Sequence, residues 1–152
     1  MVPTRLLCAG MLATLAACGG SSSSFSANLD GASEVPATGA AATAAAAITV
    51  NGSTVSYKVT FSNLSGNPTM SHIHVGASGV NGGVAVPFSG LPASTSGTFE
   101  GTFAAADVLA AGAVGAGSLD DLMAQMRAGN TYVNIHTAAH PGGEIRGQLH
   151  AQ

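Results

Sequence analysis

The chain has 152 residues, of which 7% are charged and 5% aromatic, with no Trp and a formal net charge of −3. That length suits a single domain with a real core, and the lack of any basic cluster argues against nucleic acid as a partner. Both cysteines, Cys8 and Cys18, lie near the start. The remainder therefore holds no disulfide and no thiolate metal site, and must be stabilised by a packed core of Ala, Val, Ile, Leu and Phe.

The first predicted element is an export signal. Arg5 supplies the positive start, and residues 6–15 form an apolar run too short to span a bilayer. Leu15-Ala16-Ala17-Cys18-Gly19 then matches the bacterial lipobox. The expected organisation is a lipoprotein signal peptide over 1–17, a lipidated Cys18 opening a flexible Gly/Ser linker over 18–24, and one domain over 25–150. Acyl chains on Cys18 make the membrane a partner. The expected location is the cell envelope, with the outer membrane or its periplasmic face favoured because no Asp follows Cys18. Removal of the signal leaves 152 − 17 = 135 residues, with three basic side chains (Lys58, Arg127, Arg146) against seven acidic ones.

From Phe25 onward, short alternating segments are punctuated by Gly, Asn, Pro and Ser. Strands are expected over 25–29, 39–50, 53–62, 70–75, 83–88, 95–103, 130–136 and 144–149. The Ala-rich run over 40–50 has helical propensity. However, it leads through Ile48-Thr49-Val50 into Asn51-Gly52 and a second alternating run, which is a hairpin signal. One helix is expected near 119–128, capped by Ser118, with acids in its first turn, Arg127 in its last and Gly129 at its exit. A helical turn is expected over 107–110. The fold class is therefore all-β: an antiparallel, Greek-key-like sandwich or barrel, superoxide dismutase- or immunoglobulin-like, with one short helix.

Chemistry gathers around histidine. His72 and His74 alternate on one strand and so leave the same face, with Cα atoms about 6.5–7 Å apart. His136 ends another alternating strand, in which Val133 and Ile135 point one way and Tyr132, Asn134 and His136 the other. Three imidazoles so arranged form a candidate metal site suited to copper or zinc. The plainer reading is a set of histidines hydrogen-bonded to neighbours such as Asn134 and Glu144. Glu144 and Arg146 are two apart and share a face, and a structural salt-bridge or hydrogen-bonding role is the first reading for both. His150 falls at the end of the last strand and is given no role, and Pro141-Gly142-Gly143 reads simply as a turn. No nucleophile elbow, P-loop or dinucleotide fingerprint is present, and the sparse acids have no glycosidase pattern.

Three segments carry a family resemblance. They are Leu29-Asp30-Gly31-Ala32-Ser33-Glu34-Val35-Pro36; Ser71-His72-Ile73-His74-Val75-Gly76 with Gly79-Val80-Asn81-Gly82; and the long block from Ala128 through His140-Pro141-Gly142-Gly143-Glu144-Ile145-Arg146-Gly147-Gln148-Leu149. Together they resemble the CHRD domain, first described in chordin, over about residues 25–150. The resemblance implies an all-β extracytoplasmic domain whose biochemical role is mostly unassigned; in chordin such domains belong to a secreted growth-factor antagonist.

A second resemblance is to the copper site of Cu/Zn superoxide dismutase, through the His-x-His pair, the gap of 136 − 74 = 62 residues, the strand-end His136 and a later Arg. It implies copper held by His72, His74 and His136, with Arg146 guiding an anion and His140 as a fourth ligand or supporting group. The chain departs from that pattern in lacking a bridging histidine, a zinc-ligand cluster and a disulfide pair. The expected function is a membrane-anchored binding module for a metal ion or an extracytoplasmic protein. A copper-dependent, superoxide-dismuting enzyme and a purely structural envelope protein are the alternatives.

Overall fold

The computed structural model describes residues 23–109 and 116–152, so the export signal and Cys18 lie outside the described residues. Burial alternates strictly in the second and third strands, β2 (Thr43–Asn51) and β3 (Thr54–Ser62), which follow β1 (Ser23–Asp30). Ala44, Ala46, Ile48 and Val50 face inward from β2, and Val55, Tyr57, Val59 and Phe61 from β3. The Ala run is thus a strand: its small inward side chains let the sheet pack closely, overriding helical propensity. It begins at Thr43, later than the expected residue 39. The hairpin turn is also displaced by one residue. Asn51 pairs with Thr54, leaving Gly52 and Ser53 as the two-residue loop. Gly52 has φ +61 while Ser53 does not need a positive φ, which fits a type II′ turn with glycine first.

The remaining strands are β4 (Pro68–Val75), β5 (Gly83–Pro87), β6 (Gly97–Phe103), β7 (Thr131–Thr137), β8 (Ile145–Gln148) and the two-residue β9 (His150–Ala151). They form one antiparallel sheet in the order β5-β4-β7-β8-β1-β2-β3-β6, with β9 also on β1. The sheet curls into a nearly closed barrel whose two edges are β5 and β6. Tyr57 bridges the seam: its ring stacks on Phe88 at 4.1 Å between centroids, and its hydroxyl accepts from the Ser89 backbone N–H at 3.1 Å. Because β3 pairs with β6 and β4 with β7, the β4–β5 hairpin is bracketed by long crossing connections, the Greek-key pattern. The expected all-β class is found, with the sandwich-or-barrel choice resolved to a barrel.

The helix α1 (Leu119–Arg127) starts where Ser118 accepts a hydrogen bond from the Asp121 N–H at 3.1 Å. Leu119, Leu122, Met123 and Met126 are buried on one face, each contributing about 1.5–3 kcal/mol. The expected turn over 107–110 is instead a 3₁₀ turn at Ala105–Asp107, fixed by Asp107 accepting from the Ala104 N–H at 2.9 Å. Residue 110 lies outside the described residues.

Candidate metal centre

In β7 the alternation of burial disappears: every residue from Thr131 to Thr137 is buried. Val133 and Ile135 face the core, as expected. Tyr132, Asn134 and His136 face outward, yet they are covered too. Two loops lie over this outer face, one spanning 76–82 and the other 138–143.

The polar side chains beneath them hold the loops down. Arg146, only 2% exposed, donates from Nη2 to the carbonyls of Ala77 (3.2 Å) and Val80 (2.9 Å) and from Nη1 to Asn81 Oδ1 (3.3 Å). Gln148 Nε2 donates to Gly76 O and Gly129 O. Gly82 crosses so close to the Val75 carbonyl that a Cβ has no room there; its N–H donates to Tyr132 Oη at 3.1 Å.

The three predicted histidines meet on this face. Their ligand atoms all lie within 4.8 Å of one another, and among the described residues they form a cluster able to hold a metal ion. The register explains the meeting. β4 and β7 are neighbours, His72 sits opposite Asn134, His74 opposite Tyr132, and His136 opposite Met70. The separation of 136 − 72 = 64 residues between His72 and His136 thus closes to a diagonal pair on one ladder.

Two of the three rings are oriented by backbone carbonyls. His136 Nδ1 donates to Pro141 O at 2.9 Å, which leaves Nε2 bare and aimed at His72 Nδ1, 3.2 Å away. His74 Nδ1 lies 3.0 Å from Gly82 O and its Nε2 3.1 Å from Asn134 Oδ1; a neutral His74 with its proton on Nδ1 requires that amide to present its NH2 group to Nε2 instead. Such outer partners fix the tautomer and the ring of a metal-binding histidine. Two nitrogens on one tetrahedral ion with bonds near 2.0–2.1 Å stand roughly 3.3 Å apart. The His72–His136 pair has that spacing, so an ion held between them would take the place of the proton they share.

The electrostatics keep all three rings neutral. Burial, then the neighbouring His136 and His74, push the His72 pKa down to about 4. Burial likewise lowers His74 and His136. Neutral imidazole is the form that binds metal.

Glu144 and Arg146 both take structural hydrogen-bonding roles, the first reading of the sequence, each with its own partners. Glu144 accepts from the Ser65 N–H (2.7 Å), Ser65 Oγ (2.6 Å) and Thr137 Oγ1 (2.5 Å). Burial raises its pKa, but these bonds outweigh that and hold it below the ordinary value. It clamps residue 65 to β7 and contacts no histidine of the cluster. His140 sits in the 138–143 turn, its N–H bonded to Thr137 O, and is not among the three clustered imidazoles. Arg146 lies over one side of the Tyr132 ring at 3.5 Å, while His74 stacks on that ring at 4.7 Å. Since β4 and β8 flank β7 on opposite sides, Tyr132 separates the guanidinium from His74.

Three contributors escaped the sequence reading. Pro141 was assigned only a turn, yet its carbonyl orients His136. The Gly82 carbonyl does the same for His74. The third is Glu34, 7% exposed, whose Oε1 has no hydrogen-bond partner among the described residues. Burial raises its pKa against the opposing pull of Arg146. The signal for the first two lay in the glycine-rich turns beside each histidine strand.

Comparison with known proteins gives one match: the family model described as the CHRD domain covers residues 25–149. No curated protein and no solved structure matches.

Proposed function

The chain belongs to the CHRD domain family, and from that premise we propose that it is a lipid-anchored, extracytoplasmic metal-binding module. Cys18 tethers it to the cell envelope, and His72, His74 and His136 hold one ion of copper or zinc. His72 offers Nδ1 and His136 offers Nε2. His74 offers Nε2 once the Asn134 amide yields. The observation that carries the reading is the convergence of three neutral imidazoles, two of them pre-aimed by backbone carbonyls. A purely structural role explains the 3.2 Å hydrogen bond between His72 and His136; the metal reading is favoured by the third imidazole, whose ligand atom lies within 4.8 Å of the other two.

Metal binding is favoured over superoxide turnover because Arg146 is spent on three loop acceptors and on Tyr132, which leaves it poorly placed to guide an anion to the histidines.

The test is equilibrium dialysis of the full chain in detergent against copper and zinc, read by elemental analysis. One ion per chain is expected, and none for His72→Ala or His136→Ala. Equal uptake by wild type and both variants contradicts the assignment. For the anchor, Cys18→Ala is expected to move the protein from the membrane fraction to the soluble one.

A further inference from the structure

We propose that Met70 supplies a fourth, sulfur ligand to the three-histidine site and so makes it selective for Cu(I). The inference rests on the metal-binding reading above and names the ion that the site prefers.

Met70 belongs to β4, two residues before His72, and therefore projects from the same outer face. The register sets it directly opposite His136. Directly opposed residues of an antiparallel pair have Cβ atoms about 4.5–5.5 Å apart. An unbranched side chain with three rotatable bonds has the reach from there to the gap between His72 Nδ1 and His136 Nε2. Packing does not account for this methionine. Met123 and Met126 are buried in the core, whereas Met70 is 47% exposed beside polar neighbours.

Two physical arguments select the ion. Thioether sulfur is a soft donor, which favours Cu(I) over harder divalent ions. Charge points the same way. Three neutral imidazoles and a thioether bring no negative charge, and no carboxylate joins the cluster among the described residues. The Arg146 cation already opposes positive charge on His74. A monovalent ion entering this half-covered face meets less repulsion, and loses less hydration, than a divalent one.

The experiment compares the full chain in detergent with Met70→Leu, a volume-conserving change at an exposed position. Cu(I) affinity is measured anaerobically by competition with bicinchoninate, and Zn(II) affinity by calorimetry. The expected result is Cu(I) binding weakened at least tenfold by Met70→Leu and Zn(II) binding changed less than twofold. A sulfur shell in the copper X-ray absorption spectrum should be present in wild type and absent in the variant. Unchanged Cu(I) affinity in Met70→Leu, with binding still lost in His136→Ala, overturns the methionine's role and leaves the three-histidine site standing. If wild type binds neither ion, both readings fall.

Discussion

The outer face of β2, β3 and β6 and the outer face of β4, β7 and β8 belong to the same barrel, and the inward halves of both are buried. Outside they differ. The first face shows Thr43, Thr49, Ser56, Thr60 and the Lys58–Glu100 pair to solvent, with those two charged side chains 62% and 67% exposed at an N···O distance of 3.5 Å. The second face buries His74, Asn134, His136 and Arg146 under two loops. Covering a polar surface is unfavourable unless each group finds a partner. The second face meets that demand with loop carbonyls, a stacked tyrosine and an Asn amide. At its centre the partners are the histidines themselves.

If the loops are held by the polar side chains beneath them, the largest effect comes from Arg146. Arg146→Ala abandons two carbonyls and the Asn81 amide and removes the contact with Tyr132. It is expected to lower unfolding free energy by about 3 kcal/mol or more, measured by urea denaturation; a loss under about 1 kcal/mol contradicts a pinning role.

Next comes Glu144→Gln, which weakens the clamp on residue 65 by about 1–3 kcal/mol at pH 7. Its pH dependence sharpens the point. The folded pKa of Glu144 lies below the ordinary 4.5, so its contribution is present above that value and lost as pH falls through the folded one. Stability of Glu144→Gln should therefore fall less steeply in acid than that of wild type. Parallel acid limbs contradict the assignment.

The smallest effect belongs to the solvent-facing side. Lys58→Ala removes an exposed ion pair and should change stability by about 0.5 kcal/mol or less. A loss as large as that of Glu144→Gln erases the distinction between the two faces.

The same comparison explains what was legible in the sequence. Inward alternation on both faces was visible as a two-residue period, so the strands, the helix and the shared inward side of Val133 and Ile135 emerged directly. His72 and His74 were placed on one face by the same period. The covering was not legible, because a polar half-strand reads alike whether water or a loop lies over it. Nothing in the spacing of Asn134 or Arg146 says that residues 76–82 fold back across them. For that reason a structural hydrogen-bonding role for Glu144 and Arg146 was legible while their partners, residue 65 and the 76–82 loop, were not. Pro141 shows the same limit: its backbone carbonyl does the orienting, and every residue type carries one. The turn at Gly52 was misplaced by one residue because a glycine can stand first or second in a two-residue hairpin loop.

If the covered face holds a metal ion and the open face does not, the ion must stabilise the fold through the three histidines. Thermal unfolding of the full chain tests it most directly, with copper and zinc each added to saturation, because an ion bound only by the folded state must raise stability. At 100-fold over its dissociation constant an ion adds about 2.7 kcal/mol, enough to raise Tm by roughly 5 °C or more. The account predicts such a rise in wild type with at least one of the metals, and none when His72, His74 and His136 are all replaced by Ala. Superimposable melting curves for wild type with and without both metals, or an equal rise in the triple variant, contradict it.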